Sequence, residues 1–167
     1  GKTVMGSYIL AALRNKFEKS VVIVPNTDLI GKWKRDCLSF GINPLIITHK
    51  KLQTEMESFR NTSEGEHLEM FIDEKTLVII DEAHKFRTES SLGHIVLDGI
   101  LSGNFNGKKP AVLLLTATPI GTGFENLQRL YELTNLGEAP KSAEELRDTP
   151  GFVNVTLPFI MKRFGLE

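Results

Sequence analysis

One amine and two adjacent carboxylates are the groups in this chain best suited to chemistry. Lys2 stands in Gly1-Lys2-Thr3, the closing triplet of a phosphate-binding loop of the form G-x-x-x-x-G-K-[ST]. Asp81 and Glu82 stand together at the end of an apolar run, and His84 follows them. A lysine amine suits the β- and γ-oxygens of a nucleoside triphosphate. A threonine hydroxyl and an aspartate suit Mg2+, and a second acid beside the metal suits an attacking water. The expected roles are therefore Lys2, Asp81 and Glu82 in catalysis, Gly1, Lys2, Thr3, Asp81 and His84 around the nucleotide, and Thr3 and Asp81 on the metal. Thr116-Ala117-Thr118, after another apolar run, supplies hydroxyls for a relay with His84. Plainer readings exist for each motif. Asp-Glu pairs open many helices, where they complement the helix dipole, and a Gly-Lys-Thr triplet arises by chance.

The elements around these residues favour the chemical reading. Leu77 to Ile80 are apolar, rich in β-branched types and without alternation, which predicts a strand buried on both faces of a parallel sheet. Ser20–Val24, Pro44–Ile47 and Ala111–Leu115 read the same way. Each is followed at once by a motif: Pro25-Asn26, Thr48-His49, Asp81-Glu82 and Thr116. Parallel strands place such ends along one edge, where ligands of open α/β sheets bind. Val4, Met5, Tyr8, Ile9, Ala12, Leu13 and Phe17 recur at helical spacing after Lys2, so the lysine sits at a helix N-terminus that favours an anion. A second helix carries Leu29, Ile30, Trp33 and Leu38, capped by Thr27 or Asp28, with Trp33 read as packing. Lys32, Lys34 and Arg35 on it suit either a phosphate backbone or plain solvation. Further helical pieces are expected around Leu52, Met56 and Phe59, at Ser90–Leu101, at Phe124–Leu133 and at Ala143–Arg147.

At 167 residues the chain suits one domain with a proper core. Its single cysteine, Cys37, excludes an internal disulfide and a cysteine-built zinc site. Twenty basic and 21 acidic residues leave a net charge of −1, so any nucleic-acid site must be local. No apolar run approaches the ~20 residues of a membrane span, and no leader pattern is present, which predicts an intracellular protein without a membrane partner.

With these residues assembled, the chain resembles the first RecA-like lobe of superfamily-two helicases of the DEAH type, and within them the Swi/Snf-type double-stranded DNA translocases. Gly1-Lys2-Thr3 matches the end of motif I, Asp81-Glu-Ala-His84 motif II and Thr116-Ala-Thr118 motif III. The narrower likeness rests on Val22-Ile-Val-Pro25 with Leu29-Ile-Gly-Lys-Trp33, on Leu114–Ile120 and on Leu157-Pro-Phe-Ile-Met-Lys-Arg163. The resemblance implies an ATP- and Mg2+-dependent motor lobe spanning residues 1–167. It also implies double-stranded DNA as partner and a second RecA-like lobe completing the ATP cleft. Pro25, Lys32, Thr48 and His49 would fall near the nucleic-acid backbone, and Thr116, Ala117 and Thr118 would couple ATP state to it.

Two departures from the family pattern are expected to matter. The front of motif I and its preceding strand are missing from the sequence, which predicts an unfilled or substituted sheet position beside Leu77–Ile80. Without the second lobe and its arginine fingers, the 167 residues alone should bind ATP poorly and hydrolyse it negligibly. A non-catalytic RecA-like docking module, the motor of a restriction enzyme and an RNA helicase remain as alternative readings.

Overall fold

A computed structural model of the chain describes residues 1–52, 54, 72–86, 97–99, 101–103, 107–116, 128, 129 and 145. The helices expected at Phe124–Leu133 and Ala143–Arg147, the segment Leu157–Arg163, most of the Ser90–Leu101 helix, and Ala117 and Thr118 lie outside the described residues in whole or in large part.

Four parallel strands form one sheet in the order β2-β1-β3-β4, with β1 at Lys19–Val24, β2 at Leu45–Thr48, β3 at Thr76–Asp81 and β4 at Ala111–Leu115. Helix α1 (Lys2–Leu13) precedes β1, and α2 (Asp28–Ser39) connects β1 to β2. This is the α/β, RecA-like architecture expected, a parallel sheet flanked by helices. The non-alternating strands follow from the two cores. Val22, Val24, Leu77 and Ile79 face α1 and α2 with Ile9, Leu10, Leu13, Trp33 and Cys37. Val21, Ile23, Val78 and Ile80 face the other way, against Leu52, Ile72, Phe86, Leu97 and Leu101. All six residues of β3 are buried, including both of its polar ends, Thr76 and Asp81.

Of the two outcomes expected beside Leu77–Ile80, an unfilled or a substituted position, the register rules out the unfilled one. β3 pairs with β1 on one side, Val21 opposite Val78, and with β4 on the other, Val78 opposite Val112. Gly6 of α1 lies against Leu115 of β4. Strand β4 stands at the end of the order, and its residues are mostly half-buried.

The start of β3 is fixed by a turn. Thr76 Oγ1 donates to Asp73 Oδ1 at 2.9 Å, and the Asp73 amide donates back to Thr76 Oγ1 at 3.0 Å. Lys19 Nζ reaches Asp73 Oδ2 at 2.6 Å and, with these other donors, holds that carboxyl down at about 2. Helix α2 begins after Thr27, but the Thr27 side chain makes no cap bond; Asn26 Oδ1 accepts from the Leu29 amide at 3.3 Å instead.

The face that α1 buries differs from the face its apolar spacing suggests. Val4 is 46% exposed, while Thr3, Gly6 and Ser7 are buried. The reason is close approach: a Cβ on Gly6 would stand 2.5 Å from Trp33 Cη2 and 3.1 Å from Leu115 Cδ1. Packing depth thus selects the small residues, and apolar periodicity yields. Gly6→Ala should destabilise the fold by about 1–2 kcal/mol in urea unfolding, because overpacking outweighs the gain in helix propensity. Gly31→Ala on α2, where the added Cβ meets nothing within 4 Å, should stabilise by roughly 0.5–1 kcal/mol.

Candidate functional site

Because the strands are parallel, their carboxyl ends bring Pro25, Thr48-His49, Asp81-Glu82 and Thr116 to one edge of the sheet. Helix α1 adds Lys2. Its Nζ donates a hydrogen bond to Glu82 Oε1 across 80 residues of sequence, so the end of the phosphate-loop motif and the paired acids meet. The first turn of α1 holds no acidic residue and no side-chain cap. An uncapped helix N-terminus of this kind favours an anion.

The two acids occupy opposite environments although they are neighbours in sequence. Asp81 is 3% exposed; its Oδ2 accepts from the Trp33 indole Nε1 at 2.9 Å and its Oδ1 from the Glu82 amide at 3.0 Å. Glu82 adopts φ 52°, a left-handed conformation that costs a non-glycine residue about 1 kcal/mol. That turn leads from β3 into a single 3-10 turn, Ala83–Phe86, and directs the Glu82 carboxylate toward Lys2. The Lys2 hydrogen bond, above all, holds the Glu82 carboxyl below the usual glutamate range, so it stays an ionised acceptor.

His84 links the second and third motifs. Its Nδ1 lies 3.2 Å from Thr116 Oγ1 and 3.2 Å from Glu82 Oε2. Thr3 is 5% exposed in the same turn as Lys2, and its carbonyl accepts from Ser7 Oγ, which also lies 3.3 Å from Cys37 Sγ. Lys32 is exposed on the outer face of α2, next to Lys34 and Arg35, while Pro25 and Thr48 are half-buried at the strand ends. His49 turns inward. It is 9% exposed, tilted against Phe86 with ring centroids 4.2 Å apart, and its Nε2 has no hydrogen-bond partner among the described residues.

Sequence reasoning took Trp33 for packing alone and missed its bond to Asp81. A signal was present in the residue type, because an indole N–H that becomes buried requires an acceptor.

Whether Mg2+ suits this edge can be judged from the donors. Among the described residues no three His, Cys, Asp or Glu side chains cluster as a metal cage. Asp81 instead offers one fixed carboxylate, each oxygen carrying one hydrogen bond and retaining a free lone pair. That matches a cation held by one acid and by phosphate oxygens.

The family model described as type III restriction enzyme, res subunit, matches residues 1–121, which include Gly1–Thr3, Asp81–His84 and Thr116–Thr118 but not Leu157–Arg163. The chain belongs to that family. The res-subunit family is a superfamily-two, helicase-type ATPase domain, so the helicase-type lobe expected from Gly1–Thr3, Asp81–His84 and Thr116 stands at that level. No curated protein matches the chain. Among the described residues no helix is long and apolar enough to cross a membrane.

Burial of His49 makes stability depend on pH. Desolvation is the main cause lowering its pKa from 6.5 to about 4. The folded state therefore binds its proton later than the unfolded chain, and the contribution is full above 6.5 and lost as pH falls toward 4. The loss should amount to about 3 kcal/mol. Urea unfolding of His49→Gln across that window should show a flatter profile than wild type; parallel profiles would contradict the assignment.

Proposed function

We propose that residues 1–167 form the ATP-binding and ATP-hydrolysing lobe of an ATP-dependent motor that moves along double-stranded DNA. The observation that carries this reading is the contact between Lys2 Nζ and Glu82 Oε1. The lysine expected on the β- and γ-phosphates is hydrogen-bonded to the acid expected to polarise water. A triphosphate entering at the α1 N-terminus would draw the ammonium onto its oxygens and release the Glu82 carboxylate for the water. Thr3 and Asp81 would hold Mg2+, which neutralises phosphate charge when bound. His84, through Thr116, would pass the state of Glu82 to the third motif, including Ala117 and Thr118. Lys32 with its basic neighbours, together with Pro25 and Thr48, would meet the nucleic-acid backbone, and His49 would support that edge from inside. A second RecA-like lobe would complete the ATP cleft.

Within the motor class, the Swi/Snf-like reading rests on the Val22–Pro25, Leu29–Trp33 and Leu157–Arg163 segments. The motor of a restriction enzyme is the second reading, favoured by the res-subunit match over residues 1–121. A docking module without catalysis would have no need of Lys2, Thr3, Asp81 and Glu82 together.

Calorimetric titration with Mg2+–ATP, on the chain carrying a complete phosphate loop, separates these classes. Binding heat is expected for wild type and for Glu82→Gln, and a large loss of affinity for Lys2→Ala. In the complete motor, Glu82→Gln should lower turnover by ~10²–10⁴-fold with binding retained. A wild-type titration without heat would favour the docking module.

A further inference from the structure

We infer that Trp33 is a positioning residue for the divalent cation, setting the Asp81 carboxylate in the orientation that the metal requires. This rests on the ATPase reading above and adds a residue to its metal site.

The argument starts from burial. Trp33 is 0% and Asp81 3% exposed, so each needs the other: the indole N–H has no access to water, and neither does most of the carboxylate. The bond between them, Nε1 to Oδ2 at 2.9 Å, is matched on the other oxygen by the Glu82 amide at 3.0 Å. Two donors on two oxygens fix both the rotation of the carboxylate and its tilt. They occupy one lone pair on each oxygen and leave the others for a cation or its waters.

The donor itself cannot swing away. The position a Gly6 Cβ would occupy is 2.5 Å from Trp33 Cη2 and 3.2 Å from Cζ3, so α1 closes over the far edge of the indole. Trp33 thus stands between the helix that bears Lys2 and Thr3 and the strand that bears Asp81. Its position is set by the elements that hold the phosphate-binding residues. A partner that orients a metal-binding carboxylate from behind typically changes metal affinity by ~10–100-fold when removed.

Trp33 is the single tryptophan of the chain, which gives the test a direct readout. In a ¹H–¹⁵N spectrum the one indole N–H resonance should be shifted downfield by its carboxylate acceptor and exchange slowly with water. Mn2+ added with ADP should broaden it selectively, and Asp81→Ala should move it upfield. Trp33→Phe, which keeps most of the packing and removes the donor, should weaken Mg2+–ADP binding ~10–100-fold in calorimetry. An indole resonance that stays sharp with Mn2+–ADP bound would overturn the inference without any substitution. So would a folded Trp33→Phe chain that binds Mg2+–ADP as wild type does while Asp81→Ala does not; the ATPase reading would then survive alone. All of these titrations use the chain carrying a complete phosphate loop; if that chain binds neither Mn2+–ADP nor Mg2+–ADP, both readings fall together.

Discussion

Burying the Asp81 carboxylate is the constraint from which the rest of the site follows. A charge at 3% exposure is tolerated only with donors in place, and here they are the Trp33 indole and the Glu82 amide. For the indole to arrive, α2 must lie close over the sheet with Trp33 inward. For α1 to pack on the same face, it must offer no side chain where Trp33 ends, which is why residue 6 is glycine. That packing seats the N-terminus of α1 beside the end of β3, and Lys2 comes within bonding reach of Glu82. One buried acid thereby ties two helices and a strand into a single arrangement.

Helix α2 consequently has two dissimilar faces. Inward, Trp33 and Cys37 are fully buried; outward, Lys32, Lys34 and Arg35 are exposed to solvent. The opposite side of the sheet is organised around His49 and Phe86, with the His49 ring under Asp81 and kept neutral by burial. The strand end that bears the acids is packed from both faces. Its backbone is therefore poorly free to adjust, which suits a site that must hold charge in fixed positions.

Much of this could be read from residue order. Leu77–Ile80 shows no alternation because both faces of β3 are covered, and the parallel sheet then obliges Thr48, Asp81 and Thr116 to share an edge. The meeting of Lys2 with the acids follows from the same geometry. What could not be read depends on distances between elements. Val4 carries the right polarity for the buried side of α1, yet helix–helix approach gives that side to Gly6 and Ser7. Strand order is equally hidden, since four similar apolar runs do not say which two flank β3; leaving the position beside it as either unfilled or substituted reflects that ambiguity. Asn26 in place of Thr27 at the head of α2 is a local choice between adjacent side chains capable of the same bond.

Adjacency of Asp81 and Glu82 would be a liability in a continuous strand, where successive side chains point to opposite faces and one acid would enter the second core. The left-handed turn at Glu82 removes that problem by ending the strand between them. Asp81 keeps its strand conformation and its buried donors; Glu82 swings to the rim, where Lys2 lowers its proton affinity and His84 stands 3.2 Å away. A residue with no Cβ would make that turn more cheaply, but it would bring no carboxylate. The strain of about 1 kcal/mol is offset by the ion pair with Lys2, toward which the turn directs the Glu82 carboxylate. Two like charges one residue apart are in this way separated into a buried, doubly hydrogen-bonded acid and an accessible one. That division is the physical condition for giving them different tasks.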